Sequence, residues 1–245
     1  MHGDSVVVGR LSGIGLNACL IFMPNLAIVG YGKMGRLIDQ LAPEYGFTVT
    51  ARIDVDRSES LQGADVAVEF SVPSSVADNV AKIAALGIPI VVGTTGWLEH
   101  LDEVKAIVSK NDSALVWSPN FSVGMNVFTR LVAEAARLFQ NEKEYGAWAW
   151  EIHHITKKDA PSGTLLKLVE QMRASGFNRA IDASSSRAGA HPGTHEIGFD
   201  SAADTITLRH TARNREGFAR GALKAAQWII GRKGCYEFSD VLFGG

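Results

Sequence analysis

The 245-residue sequence predicts an α/β fold in two parts, a first half of alternating strands and helices and a second, mixed α+β half. Three observations carry that expectation. A continuous apolar run, Leu26 to Val29, flows into Gly30, Gly32 and Gly35 in GxGxxG spacing. Apolar β-rich runs and helical segments then alternate to about Asn120. Beyond Asn120 the alternation breaks down, and strand-like runs follow one another.

The run at Leu26 to Val29 is apolar throughout, as in a strand buried on both faces. RLIDQLA after the glycines reads as a helix, and Thr48 to Asp54 as a second strand. Strand, glycine turn, helix and strand in that order open a Rossmann dinucleotide-binding domain. Gly30 permits the tight turn, Gly32 leaves room for a pyrophosphate, and Gly35 lets helix and strand approach. The helix N-terminus offers free N–H groups to the anion. Asp54, at the end of the second strand, stands where a carboxylate takes the ribose hydroxyls. A carboxylate there followed by Val55 favours NADH, although Arg52 and Arg57 flank it and NADPH stays within reach.

Ala64 to Ser71 reads as the next strand and Val76 to Leu86 as a helix closed by Gly87. Ile88 to Trp97 is a strand running into a Gly-Thr-Thr-Gly turn; His100 to Asn111 is a helix; and the segment from Ala114 begins as a strand. Ligands bind at the carboxyl ends of parallel strands. Phe70 with Ser71, Gly93 with Thr94 and Thr95, and Ser118 through Asn120 to Phe121 are therefore expected to wall a nicotinamide pocket.

In the second half, Val127 to Phe139 has helical apolar spacing, with Leu131, Ala135, Leu138 and Phe139 near one face. Ala147 to Ile155 reads as a strand and LLKLVEQMRAS as a helix. HEIGFDS and DTITLRHTA alternate as a hairpin. GFARGALKAAQWIIG reads as a final helix ending at Gly231. Such a mixture implies a second α+β domain with a mixed sheet.

Composition narrows the function. Charged residues are 20% and hydrophobic ones 46%, and the formal net charge is −2. No basic excess points to nucleic acid or to an anionic membrane. The two cysteines, Cys19 and Cys235, form no CxxC pair, which fits a reducing cytoplasm. Residues 1–22 are apolar and Gly-rich, with an uncharged run of about a dozen residues where a bilayer needs about 20. They lack a signal-peptide pattern. The expectation is that Met23 is the natural start and that residues 1–22 are a doubtful extension.

One segment stands apart: EIHHITKKDAPSGT, Glu151 to Thr164. On a strand, His153 and His154 point to opposite faces, which makes joint ligation of one metal awkward. Either histidine could face the cleft. Pro161 suits a helix start, and Ser162, Gly163 and Thr164 lie where the first N–H groups would be free. A helix N-terminus binds carboxylate or phosphate, and Lys157 and Lys158 add positive charge. The segment reads as an anion seat beside an acid–base residue, or as a solvated loop with a helix cap.

The segment closely resembles the signature of the 4-hydroxy-tetrahydrodipicolinate (dihydrodipicolinate) reductase family, Glu-x-His-His-x-x-Lys-x-Asp-Ala-Pro-Ser-Gly-Thr. GYGKMG, VVGTTGW, SPNFSVGMNV, RAGAHPGTHEIGF and HTARNREGFARGALKAAQWI agree as well, so the resemblance covers Asn25 to Gly244. It implies reduction of a cyclic imine dicarboxylate to tetrahydrodipicolinate on the diaminopimelate route to lysine, with NADH or NADPH as cofactor. His153 would be the acid–base histidine and Lys157 the proton donor. His154 and Lys157 would hold substrate carboxylates, and Gly163 and Thr164 would bind one through backbone and hydroxyl groups. Gly30, Gly32, Lys33, Met34 and Gly35 would cradle the pyrophosphate, and Asp54 would take the adenosine ribose. Phe70, Gly93, Thr95, Ser118, Asn120 and Phe121 would border the nicotinamide. The resemblance also implies a homotetramer built through the second domain. It places residues 23–120 and 216–245 in the nucleotide domain and 121–215 in the substrate and oligomerisation domain. The segment after Asp54 is short for the family, Val55 lacks the basic character of NADPH users, and Leu165 stands where alanine is frequent. Another two-domain NAD(P)-dependent dehydrogenase, of amino-acid or sugar type, would share the first half but leave HHxxKxDAPSGT unexplained. A nucleotide-sensing regulator would have no use for both His153 and Lys157.

Overall fold

The structure, a computed structural model, describes residues 23–244; the expectations for residues 1–22 lie outside the described residues. The chain runs β1 (Asn25–Val29), α1 (Lys33–Leu41), β2 (Thr48–Asp54), β3 (Arg57–Ser58), β4 (Val66–Glu69), α2 (Val76–Ala84), β5 (Ile90–Val92), α3 (Leu101–Lys110) and β6 (Ala114–Trp117). It continues with α4 (Val123–Phe139), β7 (Gly146–His153), α5 (Gly163–Ala174), β8 (Ile181–Arg187), β9 (Thr194–Asp200), β10 (Thr205–Thr211), α6 (Glu216–Ile229), β11 (Gly234–Glu237) and α7 (Phe238–Phe243). None of the described helices is long and apolar enough to cross a membrane.

The first sheet has seven strands in the order β11-β6-β5-β4-β1-β2-β3. All pairs are parallel except the short β2–β3 hairpin. Period-two alternation splits β1 between two cores. Leu26 and Ile28 face one side, with α1 residues Ile38 and Leu41 and α6 residues Ala222, Leu223 and Ile229. Ala27 and Val29 face the other, with Val80 and Ile83 of α2 and Val104 and Val108 of α3. Each fully buried aliphatic side chain contributes roughly 1.5–3 kcal/mol, so this two-sided burial is what makes the strands nearly featureless apolar runs. The chain returns to this sheet at its end: β11 adds to the edge beside β6, and Phe238 of α7 packs on Phe121 with ring centroids 4.8 Å apart. A Cβ on Gly221 would lie 1.7 Å from the Phe121 carbonyl oxygen, so α6 touches that loop backbone to backbone.

The second sheet has the order β10-β9-β7-β8 and is mixed, with β7–β8 parallel and the other pairs antiparallel. Helices α4 and α5 cover its inner face, where Ala147, Ala149, Ile197 and Phe199 meet Phe128, Val132, Leu165 and Leu168. Further along the same face, past Ala149 and Ile197, the residues turn polar: Glu151 and His153 on β7, His195 opposite Glu151, and Arg187 opposite His153. That polar end of the sheet becomes the site. The outer face carries Trp148, Trp150 and Ile152, all partly exposed; Trp150 donates to Ser186 Oγ (3.1 Å).

Several boundaries differ from the sequence expectations. Helix α4 begins at Val123, four residues before Val127, because the Ser122 side chain caps it by accepting from Met125 N–H (3.2 Å). Strand β7 ends at His153, two residues before Ile155, so His154 lies outside it. Helix α2 ends at Ala84 rather than Leu86. Four elements had no counterpart: the two-residue β3, β8, whose sequence IDASSSR lacks apolar alternation, and β11 and α7 in the tail. β8 is a serine-rich edge strand held by pairing with β7 rather than by its own side chains.

Candidate functional site

The glycine turn has the geometry its spacing implies. Gly30 has φ of 90°, and a Cβ there would sit 2.2 Å from the Phe70 carbonyl oxygen. A Cβ on Gly35 would lie 2.2 Å from the Gly30 carbonyl oxygen, whereas one on Gly32 would meet nothing within 4 Å. Gly32 is the N-cap of α1, with Lys33 and Met34 in its first turn. Open space in front of a helix N-terminus is a cradle for a pyrophosphate. Asp54 accepts from the N–H groups of Tyr31 (3.1 Å) and Val55 (2.9 Å). Arg57 stacks over the Tyr31 ring at 5.0 Å. A cleft of about 450 Å³, lined in part by Val29, Ile53, Leu61 and Asn79, opens at the ends of β1 and β2 beside α2.

Two further loops meet at the carboxyl ends of β4 and β5. Glu69 is fully buried. It accepts from Thr94 Oγ1 (2.7 Å), Asn79 Nδ2 (3.1 Å) and the Ser71 hydroxyl. Thr94 Oγ1 in turn accepts from Ser71 N–H (2.8 Å). One carboxylate therefore ties both loops together. A Cβ on Gly93 would lie 2.1 Å from the Phe70 ring, so Phe70 packs flat against that backbone. Thr95 is exposed at the same turn. Phe121 is different: its ring is buried in the first core between Phe70 and Phe238. Ser118 Oγ donates to the Asn120 carbonyl (2.9 Å) and accepts from Asn120 N–H (3.1 Å), which fixes that loop.

Between the two sheets lies a cleft of about 280 Å³. Asn120, His153, Thr164, His195, His210 and Arg213 are among its walls. A smaller adjoining cleft brings Ser118 and Asn120 against Gly163, Thr164 and Lys167. The loop after β6 and the start of α5 thus share one space. Ser162 caps α5, its Oγ accepting from Leu165 N–H (3.2 Å), and a cis Ala160–Pro161 peptide precedes it.

The two adjacent histidines part company here. His153 is buried and lines the cleft. His154, beyond the strand, bonds through Nδ1 to the Thr156 hydroxyl (2.7 Å) and is not among the cleft walls. Lys157 is also turned away from the walls: its Nζ lies 2.8 Å from Asp159 Oδ1. Asp159 is held below the usual carboxylate range chiefly by its bond to Lys157. In this state the protein's own Asp159 carboxylate holds the Lys157 ammonium expected to receive an anion.

Sequence reading passed over the centre of the site. Glu151 is fully buried. Its Oε1 accepts from Ser162 N–H (2.8 Å) and Arg187 Nη2 (3.0 Å). Its Oε2 accepts from the Ser162 hydroxyl and lies 3.3 Å from His195 Nε2 and 3.5 Å from His153 Nδ1. Glu151, His153 and His195 offer donor atoms within 4.8 Å of one another, a spacing a metal could use. Ser162 and the Arg187 guanidinium already fill the carboxylate, however, and a positive charge stands where a cation would add another. The arrangement is a hydrogen-bonded hub. A period-two count along β7, which puts Glu151 on the same face as His153, was the available signal. His195, His210 and Arg213 stand in the matching segments RAGAHPGTHEIGF and HTARNREGFARGALKAAQWI, but nothing in their residues alone showed that the folded hairpin and the loop before α6 bring them to the cleft.

The electrostatics follow from burial. Burial lowers the His153 pKa, against the raising effect of Glu151 and with Lys157, Arg187 and His154 adding to the fall. Burial and the His153 charge bring His195 down to about 4. Glu151 is held below its ordinary value: burial opposes ionisation, but the Ser162 and Arg187 bonds prevail. An unfolded chain therefore takes up protons that the folded site refuses as the pH falls below the ordinary imidazole value of 6.5. Unfolding free energy measured by urea titration should decline from about pH 6.5 to about pH 4. His195→Gln should flatten that decline by up to one proton's worth, ~1.4 kcal/mol per pH unit. An unchanged slope would mean that His195 is not held neutral by the fold.

Comparison with known proteins agrees with this architecture. Residues 24–121 match the family model described as dihydrodipicolinate reductase, N-terminus, and residues 124–242 the one described as dihydrodipicolinate reductase, C-terminus. The 4-hydroxy-tetrahydrodipicolinate reductase of Christiangramia forsetii is 35% identical over 89% of this chain and 97% of that protein. The one from Methanoregula boonei is 34% identical over 90% of this chain and 98% of that protein. Among solved structures, a dipicolinate-bound dihydrodipicolinate reductase from Paenisporosarcina sp. TG-14 has a TM-score of 0.76 at 21% identity, covering 90% of this chain and all of that one. An amine dehydrogenase from Mycobacterium smegmatis shares the fold with a TM-score of 0.61 at 9% identity, over 89% of this chain and 95% of that one.

Proposed function

The chain belongs to the dihydrodipicolinate reductase family, oxidoreductases of lysine and diaminopimelate biosynthesis, and we propose that its inter-sheet cleft reduces 4-hydroxy-tetrahydrodipicolinate. The observation that carries the proposal is the meeting of His153 and the Thr164 helix terminus with Asn120 of the nucleotide-side loop in one cleft. The other reading, a two-domain dehydrogenase of amino-acid type, shares the fold but lacks the sequence relationship.

A bound dihydronicotinamide would supply the hydride. The glycine cradle and Asp54 would hold its pyrophosphate and ribose, and the loops at Phe70, Gly93, Thr95, Ser118 and Asn120 would orient its ring. The chain's remaining tasks are to seat a dianion and to deliver a proton. The N-terminus of α5, at Gly163 and Thr164, suits one carboxylate. Arg213 in the wall adds positive charge. Lys157 and His154 lie on the loop between β7 and α5 and would reach the substrate once the Lys157–Asp159 ion pair opens. His153, at the cleft wall, would serve as the acid–base group. The bound dipicolinate of the Paenisporosarcina enzyme is a planar dicarboxylate of the same class.

Replacing His153 or Lys157 by alanine should lower kcat roughly 10²–10⁴-fold, the usual size of a lost acid–base group. Near-wild-type turnover in both variants, followed by NADH absorbance in an assay coupled to the upstream synthase, would overturn the assignment.

NADH is the favoured cofactor, because the Asp54 carboxylate would repel a 2′-phosphate. Its KM should be lower than that of NADPH; a preference for NADPH of about a hundredfold would refute this.

The working oligomer is a homotetramer, assembled through the outer face of the second sheet, where Trp148, Trp150 and Ile152 are partly exposed beside serines and threonines. Light scattering should return the mass of four chains of 26.3 kDa, and Trp150→Glu should split the assembly. A monomeric wild type would sink it.

A further inference from the structure

We propose that Glu151 is the positioning residue of the site: one carboxylate orients the His153 imidazole and, at the same time, fixes the N-terminus of α5 against it. The inference rests on the reading of His153 as the acid–base group and names what sets its geometry.

The argument starts from the strand. Glu151 and His153 are two residues apart on β7, so both point to the inner face. Register then places His195 directly across from Glu151 on β9, and Arg187 directly across from His153 on β8. Nothing in this layer is apolar, and Glu151, His153 and His195 are buried while Arg187 is partly so, so their polar atoms need partners. The Glu151 carboxylate has two oxygens and divides them. Oε1 receives the Ser162 N–H at 2.8 Å and the Arg187 guanidinium at 3.0 Å. Oε2 receives the Ser162 hydroxyl and faces both imidazoles.

Ser162 is the N-cap of α5, and its Oγ also accepts from Leu165 N–H. Through Ser162 the carboxylate fixes where the helix starts, and so where Gly163 and Thr164 present themselves to the cleft. Through Oε2 it sets His153. Nδ1 of His153 is buried and makes no hydrogen bond, and Glu151 Oε2, 3.5 Å away, faces it as an acceptor. Catalytic hydrogen bonds in free enzymes are often long and tighten in the complex. A proton on Nδ1 directed at Glu151 leaves Nε2 for the cleft, where it lies beside Gly193. An acid that orients an imidazole in this way also stabilises the imidazolium when it forms.

The charges around His153 come from every neighbouring element: Glu151 on its own strand, Arg187 on β8, His195 on β9, and His154 and Lys157 on the loop that follows. Among these only Glu151 favours the protonated ring. Glu151→Gln keeps the side-chain volume and removes that charge. It should lower kcat roughly 10²-fold, leave the KM of the nicotinamide cofactor within about twofold, and move the His153 imidazole titration, followed by NMR of the ring protons, to lower pH. A residue that merely stabilised the fold would lower the melting temperature and the active fraction without moving that titration.

Glu151→Asp provides the second arm if the glutamine variant does not fold. It keeps the charge for Arg187 but shortens the reach, so kcat should fall in a folded protein with unchanged cofactor KM. The proposal is overturned if folded Glu151→Gln keeps wild-type kcat or an unshifted His153 titration. It is equally overturned if Glu151→Asp turns over at the wild-type rate. Loss of function in these variants alongside a fully active His153→Ala would instead mean that the functional reading itself had failed.

Discussion

A buried carboxylate on a sheet face is the constraint on which the second half of this protein depends. Glu151 has no exposed surface, and an ionised group in that position is tolerated only when its lone pairs are filled. Filling them requires a guanidinium from β8, a helix cap from α5 and an imidazole from β9. Those demands fix the strand order and register at the polar end of the sheet and the place where α5 begins. The apolar end of the same face, from Ala147 to Phe199, needs only to be covered, and α4 and α5 cover it. The site exists because one face changes character halfway along.

The nucleotide half obeys a different rule. There the decisive contacts are between backbones, and side chains larger than hydrogen would prevent them. The Gly30 and Gly35 turn, the Phe70 ring against Gly93, and α6 against the Phe121 carbonyl at Gly221 all bring main chain to within reach of a neighbour. Glu69 performs in this half a task like that of Glu151 in the other, tying the loops after β4 and β5 through Ser71, Asn79 and Thr94. Each sheet thus ends in an anchored acid, and the cleft opens between the two ends.

These two rules explain what could be read from the sequence. Backbone contacts through glycine leave a spacing, and GYGKMG with an apolar strand before it was legible at once. Buried strands leave apolar runs, so β1, β4, β5 and β6 were found. Serine-rich β8 left no pattern because its stability lies in pairing with β7, not in its own side chains. Helix α4 was started late because Gly124 and Asn126 look like loop, whereas the Ser122 cap overrides them. Within the site, the signature segment was legible as a unit, but its internal geometry was not. Alternation put His153 and His154 on opposite faces without saying which faced inward; the end of β7 at His153 and the covered face beneath it decide that. Phe121 stands with its loop neighbours in the sequence, and its ring packs between Phe70 and Phe238 in the first core.

The remaining tension lies at Lys157. Its ammonium is paired with Asp159, two residues further along the chain. A helix N-terminus and a cation placed to receive a dianion are sites of unfavourable potential when empty, and a local carboxylate relieves it at little expense because the pair is partly exposed. Such a pair is weak, since solvent screens it and the Asp159 side chain is half in water. A substrate carrying two carboxylates brings more charge to the same donors than one aspartate can. The proposed chemistry therefore calls for exchange of one carboxylate for another at Lys157, which would swing from Asp159 to the cleft. Glu151, unlike Asp159, is buried and multiply bonded, and it has no reason to move. The site is built from one carboxylate that must stay and one that must give way.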